Sequence, residues 1–162
     1  MLFVSRDAFN IEGMSEATLE KFIQSGFLRE PADMFHLDSY HDVIVEMDGF
    51  GEKSYQRLMA SIQKARKVTL AKLIYSLGIL NIGLSNARLL CQHYRNDLQA
   101  MLAASTEELT AIDGIGPVIA GSFTDYFADE QHRIELKDLL GEVEIEQENF
   151  SEEGRVFDGK VF

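Results

Sequence analysis

Five-residue signals of one form recur four times in this chain of 162 residues. They read Ile11-Glu12-Gly13-Met14-Ser15, Met47-Asp48-Gly49-Phe50-Gly51, Ile79-Leu80-Asn81-Ile82-Gly83 and Ile112-Asp113-Gly114-Ile115-Gly116. Aligned on their third positions they fall at residues 13, 49, 81 and 114, in steps of 36, 32 and 33 residues. A period of this length marks one supersecondary unit used repeatedly. The form, apolar-x-Gly-apolar-Gly running into an amphipathic stretch, describes a tight turn that opens directly onto a helix. Glycine serves such a turn by adopting positive φ and by letting the backbone come close to another group. A helix start offers unpaired N–H donors and the positive end of the dipole, so that group is expected to be a phosphate.

The pattern predicts an all-α chain of four helix-hairpin-helix units in two pairs, residues 1–68 and 69–145, followed by a flexible acidic tail. Paired units share a core and present two hairpins side by side to the two strands of a duplex. Apolar spacing places a helix over 15–25, with Leu19, Phe22 and Ile23 as its stripe, Ser15 as its cap and Gly26 as its stop. Pro31 predicts a short helical turn from Ala32 to Phe35, and Ser39 with Asp42 predicts a capping box for a helix over 39–47. A long helix is expected over 52–65, with Tyr55, Leu58, Met59 and Ile62 inward. Helices over 70–77 and 84–94 flank the third turn, and 97–104 reads as a connector. Ser105 with Glu108 offers a capping box for a short helix ending near Ile112, Pro117 suits a first helical turn, and Ile119, Phe123, Tyr126 and Phe127 line the helix that follows. A last helix covers 130–140. Residues 141–146 alternate like a strand with no partner strand in view, and disorder is expected from about residue 146.

The net charge of −12 argues against a polyanionic partner, but its distribution does not. Between Lys53 and Asn96 stand eight basic residues (Lys53, Arg57, Lys64, Arg66, Lys67, Lys72, Arg88 and Arg95) and no Asp or Glu. Residues 141–162 carry seven acidic and two basic residues. Such asymmetry informs about partners better than the total, although Lys64, Arg66 and Lys67 would also suit the end of a helix. Cys91 is the one cysteine, which excludes an intrachain disulfide and a cysteine-built zinc site. No run approaches the length of a membrane span, and residues 1–6 do not form a signal peptide. A cytoplasmic monomer is expected. His36, His41, His93 and His132 lack metal-ligand spacing, and no carboxylate pairs with a nucleophile, so no catalytic or metal residue is assigned.

The hairpin residues expected to meet DNA are Gly13 and Ser15, Gly49 and Gly51, Asn81 and Gly83, and Gly114 and Gly116. Ser15 replaces the second glycine of the first copy and adds a hydroxyl. Asn81, in the third, tolerates left-handed geometry. Lys53, Ser54 and Arg57 follow the second hairpin and Ser85 and Arg88 the third, positioned to reach phosphate, whereas Val118 follows the fourth. Contacts of this kind go to the backbone and carry no sequence code.

The runs Phe3-Val4-Ser5-Arg6-Asp7-Ala8-Phe9-Asn10-Ile11-Glu12-Gly13, Met47-Asp48-Gly49-Phe50-Gly51-Glu52-Lys53-Ser54, Leu77-Gly78-Ile79 with Ile82-Gly83, and Ile112-Asp113-Gly114-Ile115-Gly116-Pro117 resemble, in order, the tetra-helix-hairpin-helix domain of bacterial NAD-dependent DNA ligase. The resemblance covers residues 2–145. Phe157-Asp158-Gly159-Lys160-Val161-Phe162 then looks like the first strand of the BRCT domain that follows in that family. It implies a segment that grips nicked duplex DNA from the minor-groove side for an enzyme of replication and repair, close to the nucleoid. It also implies that Met1 is not a natural start. The adenylation domain and zinc finger lie elsewhere, so NAD, Mg2+ and Zn2+ belong to the whole enzyme and this chain is not itself an enzyme. Family members often carry lysine where Val118 stands.

Two other readings belong to different classes. Hairpin pairs also pack against proteins, so an acidic chain of this kind would serve as an interdomain scaffold without binding DNA by itself. Base-excision glycosylases use one such hairpin with an Asp beyond it. Asp138 lies at a comparable distance from Gly116, but Glu135-Leu136-Lys137-Asp138-Leu139 does not match their pattern.

Overall fold

In the computed structural model, residues 8–47 and 50–146 are described. The motif residues 3–7, Asp48 and Gly49, the expected disorder after 146 and the BRCT-like strand at 157–162 lie outside them. The described chain is mostly helical. Ser15 caps α1 (Glu16–Gln24), its Oγ accepting from the Thr18 N–H at 3.1 Å. Gly26, at φ +81°, ends it, with the Phe27 N–H reaching the Phe22 carbonyl and the Gly26 N–H that of Ile23. This is the two-bond stop that a left-handed residue after a helix permits.

A ten-residue 3-10 helix (Pro31–Tyr40) follows and runs into the single turn of α2 (His41–Ile44). The helix expected over 39–47 is thus reduced to four residues, and the Ser39–Asp42 capping box does not form. The start is held instead by Asp33, whose Oδ2 accepts from the Arg29 N–H at 2.8 Å and the Glu30 N–H at 3.1 Å. Proline fixes the φ of the first residue there, and the long run of i→i+3 bonds continues from it.

Then come α3 (Glu52–Ala65), β1 (Lys67–Thr69), α4 (Leu70–Ser76), α5 (Leu84–Tyr94), α6 (Leu98–Ala103), α7 (Thr106–Thr110), α8 (Pro117–Ala128), α9 (Glu130–Leu140) and β2 (Glu144–Glu146). The expected connector at 97–104 is mostly helix α6, because Asp97 accepts from the Ala100 N–H and caps it. Helix α4 packs on α5, α7 on α8, and α9 on both α8 and the 3-10 helix. One hydrophobic cluster runs through both halves, from Phe9 and Phe22 to Phe123 and Leu139. Burying a phenylalanine as fully as Phe22 or Phe123 contributes about 1.5–3 kcal/mol.

The expectation that residues 141–146 have no partner strand needs correction. Residues 144–146 do have a partner: β2 lies parallel to β1, with Lys67 opposite Glu144, Val68 opposite Ile145 and Thr69 opposite Glu146. No pattern in three residues could announce a pairing with a segment 77 residues away. It is held by Arg66, which donates to the Glu142 carbonyl (2.7 Å), the Glu142 carboxylate (3.2 Å) and the Phe35 carbonyl (3.1 Å). The Arg66 guanidinium also lies 5.0 Å over the Phe35 ring. His36 takes the other Glu142 oxygen at 2.8 Å.

Where the 3-10 helix meets α9, Glu30 faces Asp138, with Asp33 and Glu135 nearby, and its Oε1 is buried without a hydrogen-bond partner. Burial first, then a hydrogen bond shared with Asp138 and the surrounding negative charge, push its pKa from 4.5 up to about 7. A folded-state pKa above the unfolded one makes this contact fully stabilising only at pH values below the unfolded pKa, and its contribution is lost as pH rises through the folded value. Glu30→Gln is therefore expected to raise Tm by several degrees at pH 8.5 and to leave it unchanged near pH 4, measured by thermal melts of both proteins across that range. An equal shift at both ends would show that the proton on Glu30 plays no part.

Candidate nucleic-acid interface

Among the described residues the signals share parts of one turn geometry. In three of them the first residue's carbonyl accepts from the fourth residue's N–H: Met47 from Phe50 (3.0 Å), Ile79 from Ile82 (3.1 Å) and Ile112 from Ile115 (3.0 Å). The third position carries the positive φ such a turn requires: Gly13 +87°, Asn81 +69° and Gly114 +92°. The fifth is the extended residue before each helix. Its carbonyl accepts the first helical bond, Ser15 from Leu19, Gly51 from Tyr55, Gly83 from Ala87 and Gly116 from Ala120.

The two glycine positions answer to different constraints. A Cβ at Gly13 would stand 3.6 Å from the Leu58 Cα, and one at Gly114 only 2.7 Å from the Leu89 Cδ1. At Gly51 and Gly116 the φ is ordinary and a Cβ would meet nothing within 4 Å; at Gly83 it would meet only the Asn86 Oδ1 at 3.7 Å. Nothing inside the described chain therefore demands glycine at the fifth position. What it leaves is open space beside a helix start, and neither α3 nor α8 has a side-chain cap over its first N–H groups. Such a surface suits close approach by an anion.

Within each half a hairpin reaches the helix that follows the other hairpin. Glu12 donates its N–H to Ser61 Oγ on α3 at 2.7 Å, beside the Gly13–Leu58 contact. In the second half Asn81 Nδ2 donates to Ser122 Oγ on α8 at 3.1 Å, while Gly114 lies against Leu89 on α5. Leu89 stands eight places after Asn81, and Ser122 eight after Gly114. The third and fourth hairpins thus contact each other's second helix at equivalent positions.

Between the first two hairpins lies a cleft of about 420 Å³ lined by Gly13, Met14, Ser15, Thr18, Phe50, Ser54 and Arg57. It gathers four of the residues expected to meet DNA: Gly13, Ser15, Ser54 and Arg57. Lys53 is exposed on the first turn of α3, and Gly51 begins that helix. Ser85 and Arg88 are exposed on α5 behind Gly83, on the other pair. Gly114 and Gly116 lie at the fourth hairpin, where Val118 is 67% exposed. Leu80, in the third, is 75% exposed. Gly49 is outside the described residues.

Several contributors were not read from sequence. Asn86 accepts the Gly83 N–H at 2.9 Å, a signal present as Asn at the third helical position. His41, which the sequence gave no site role, bonds Asp42 Oδ1 and Glu52 Oε1, each at 2.9 Å, and its ring stands edge-on to Tyr55 at 4.6 Å. The bond to Asp42 and then that to Glu52 raise its pKa. Glu52 opens α3 beside the second hairpin, so a protonated His41 offsets a carboxylate at the end a phosphate would approach. Arg66, by contrast, is committed to Glu142 and Phe35 and belongs to the fold.

Residues 72–135, which hold the third and fourth hairpins, match the helix-hairpin-helix motif family. These turns and helices are the architecture of a helix-hairpin-helix module. The chain is 46% identical to a DNA ligase of Ruminiclostridium cellulolyticum over 99% of its own length. It is 49% identical to one of Lachnoclostridium phytofermentans over 90% and 39% identical to one of Neorickettsia sennetsu over 88%. It spans between a fifth and a quarter of the length of these relatives. The chain corresponds to the helix-hairpin-helix segment of the bacterial DNA ligases.

Among the described residues no helix is long and apolar enough to cross a membrane, and no three His, Cys, Asp or Glu side chains converge as a metal site. The two glycine roles separate in a stability experiment. Gly114→Ala is expected to cost about 1–2 kcal/mol, from positive φ together with the Leu89 contact. Gly116→Ala should lie within about 0.5 kcal/mol of the parent. Urea unfolding of the two variants checks this, and equal losses would overturn the assignment.

Proposed function

We propose that this chain is the non-sequence-specific grip on the DNA backbone of a ligase that uses NAD to seal nicks in replication and repair, held on the minor-groove side of a nicked duplex. The observation that carries the reading is the fifth hairpin position: Gly51, Gly83 and Gly116 stand at helix starts with no packing reason to be glycine. A phosphate oxygen seated there takes backbone N–H donors and the positive helix end, and a Cβ would stand in its way. Lys53, Ser54 and Arg57 add charged and hydroxyl contacts at the second hairpin, and Ser85 and Arg88 at the third. The fourth acts through N–H groups alone.

Each pair of hairpins, 1–68 and 69–145, serves as one unit that meets one stretch of duplex. The partners are DNA and the other domains of the ligase, in the bacterial cytoplasm and with one copy of the chain. NAD, Mg2+ and Zn2+ serve the enzyme outside this segment. The residues here do not suit either metal, because Cys91 is buried and the described carboxylates and histidines do not converge.

Fluorescence anisotropy on a nicked duplex, titrated with salt, tests the reading. About four phosphate contacts at the hairpins contribute about −3 to −4 to the slope of log K against log salt. Lys53→Ala with Arg57→Ala should make that slope shallower by about 2 and weaken binding on every sequence alike. Absence of binding at low salt, or an unchanged slope, would favour the interdomain scaffold instead.

A further inference from the structure

A groove of about 690 Å³ lies beside the first pair of hairpins, between the chain entering the first hairpin, the outer face of α3, and β1 with the start of α4. Four cations line it: Arg57, Lys64, Lys67 and Lys72. Asn10, Ser61 and Thr69 add polar groups, and Glu12 and Glu146 are its only carboxylates among the described residues. Arg66 is turned away into its bonds with Glu142 and Phe35, so the groove is not simply the crowded end of a helix.

Arg57 lines both this groove and the cleft between the first two hairpins. Along α3, Ser54, Arg57, Ser61 and Lys64 follow one another at steps of three, four and three residues, which is one face of a helix. At 1.5 Å per residue that stripe is about 15 Å long, close to four base-pair rises of about 3.4 Å.

We infer that this groove is a second backbone-binding site, which holds the nucleic-acid strand as it leaves the first two hairpins. The inference rests on the proposed DNA grip and extends it to residues outside every hairpin. A phosphodiester strand fits better than an acidic protein surface, because the cations and hydroxyls follow one line that begins at the hairpin cleft. Phosphates in that line would meet Arg57, then Lys64, with Lys67 and Lys72 on the opposite wall.

The test uses the full chain and a nicked duplex long enough to extend past the hairpins on both sides. Lys64→Ala, Lys67→Ala and Lys72→Ala together should make the salt slope shallower by about 2–3 and weaken binding at least tenfold near 0.15 M salt. The corresponding lysine-to-arginine variant should restore both. A second measurement does not depend on how the triple variant folds. Ala60 lines the groove and is exposed, while Cys91 is 0% exposed, so Ala60→Cys can be labelled selectively with an iron chelate that cuts nearby DNA. Cleavage is expected on one strand, beyond the stretch covered by the hairpins.

If the parent chain binds DNA with its full slope, while the triple variant keeps that slope and position 60 cuts nothing, the groove is not a DNA site and the hairpin reading stands. If the parent chain does not bind at all, both readings fall together.

Discussion

Everything in this structure depends on how closely a hairpin can lie against a neighbouring helix. Gly13 sits on the backbone of α3 at Leu58, and Gly114 sits on the side chain of Leu89. Those approaches go with a positive φ at the third residue of both turns, and in the Ile112–Ile115 turn the first carbonyl also meets the fourth N–H. The next residue but one then starts a helix, which the Ser15 hydroxyl caps at α1 and which has no side-chain cap at α8. The close packing and the open helix start therefore share one local geometry, but they occupy different glycines.

The reciprocal contacts of the third and fourth hairpins extend the same principle to tertiary structure. Asn81 replaces glycine in its turn, adopts the left-handed conformation that its short polar side chain allows, and uses the amide to hold Ser122. A substitution that looks like a loss at the level of the motif thus becomes a strut between two units. Arg66 does comparable work for the ends of the chain. It ties the last turn of α3 to Glu142 and Phe35, which sets β2 beside β1 and joins the two halves around one core. Glu30, wedged against Asp138, is the opposing element, a carboxyl whose pKa is raised by burial, the bond to Asp138 and the surrounding negative charge.

Much of this was legible in the residues. Ser15, Gly26, Pro117 and the Ser105–Glu108 box mark helix ends where helices do end, because capping involves groups only a few residues apart. The capping box at Ser39 failed because proline and Asp33 had already set a tighter 3-10 path upstream, and tertiary packing kept it. Helix α6 stands where a connector is expected because Asp97 caps it, and an aspartate in a polar run marks a loop as readily as a cap. The site residues on the first pair, Gly13, Ser15, Ser54 and Arg57, come together in one cleft, but their distances apart in sequence gave no hint of the order in which they line it.

The sequence by itself determined the repeated turn, the helix that follows each copy and the excess of positive charge between Lys53 and Asn96. These are consequences of backbone conformations and local hydrogen bonds, and they need only neighbours in the chain. Only the tertiary structure decided which hairpin leans on which helix, that Arg66 is a fold residue while Lys64, Lys67 and Lys72 line a groove, and that an acidic segment supplies a parallel strand to a basic one. Those outcomes depend on residues as far apart as Arg66 and Glu142, whose encounter is fixed by how the whole core closes and not by any spacing along the chain.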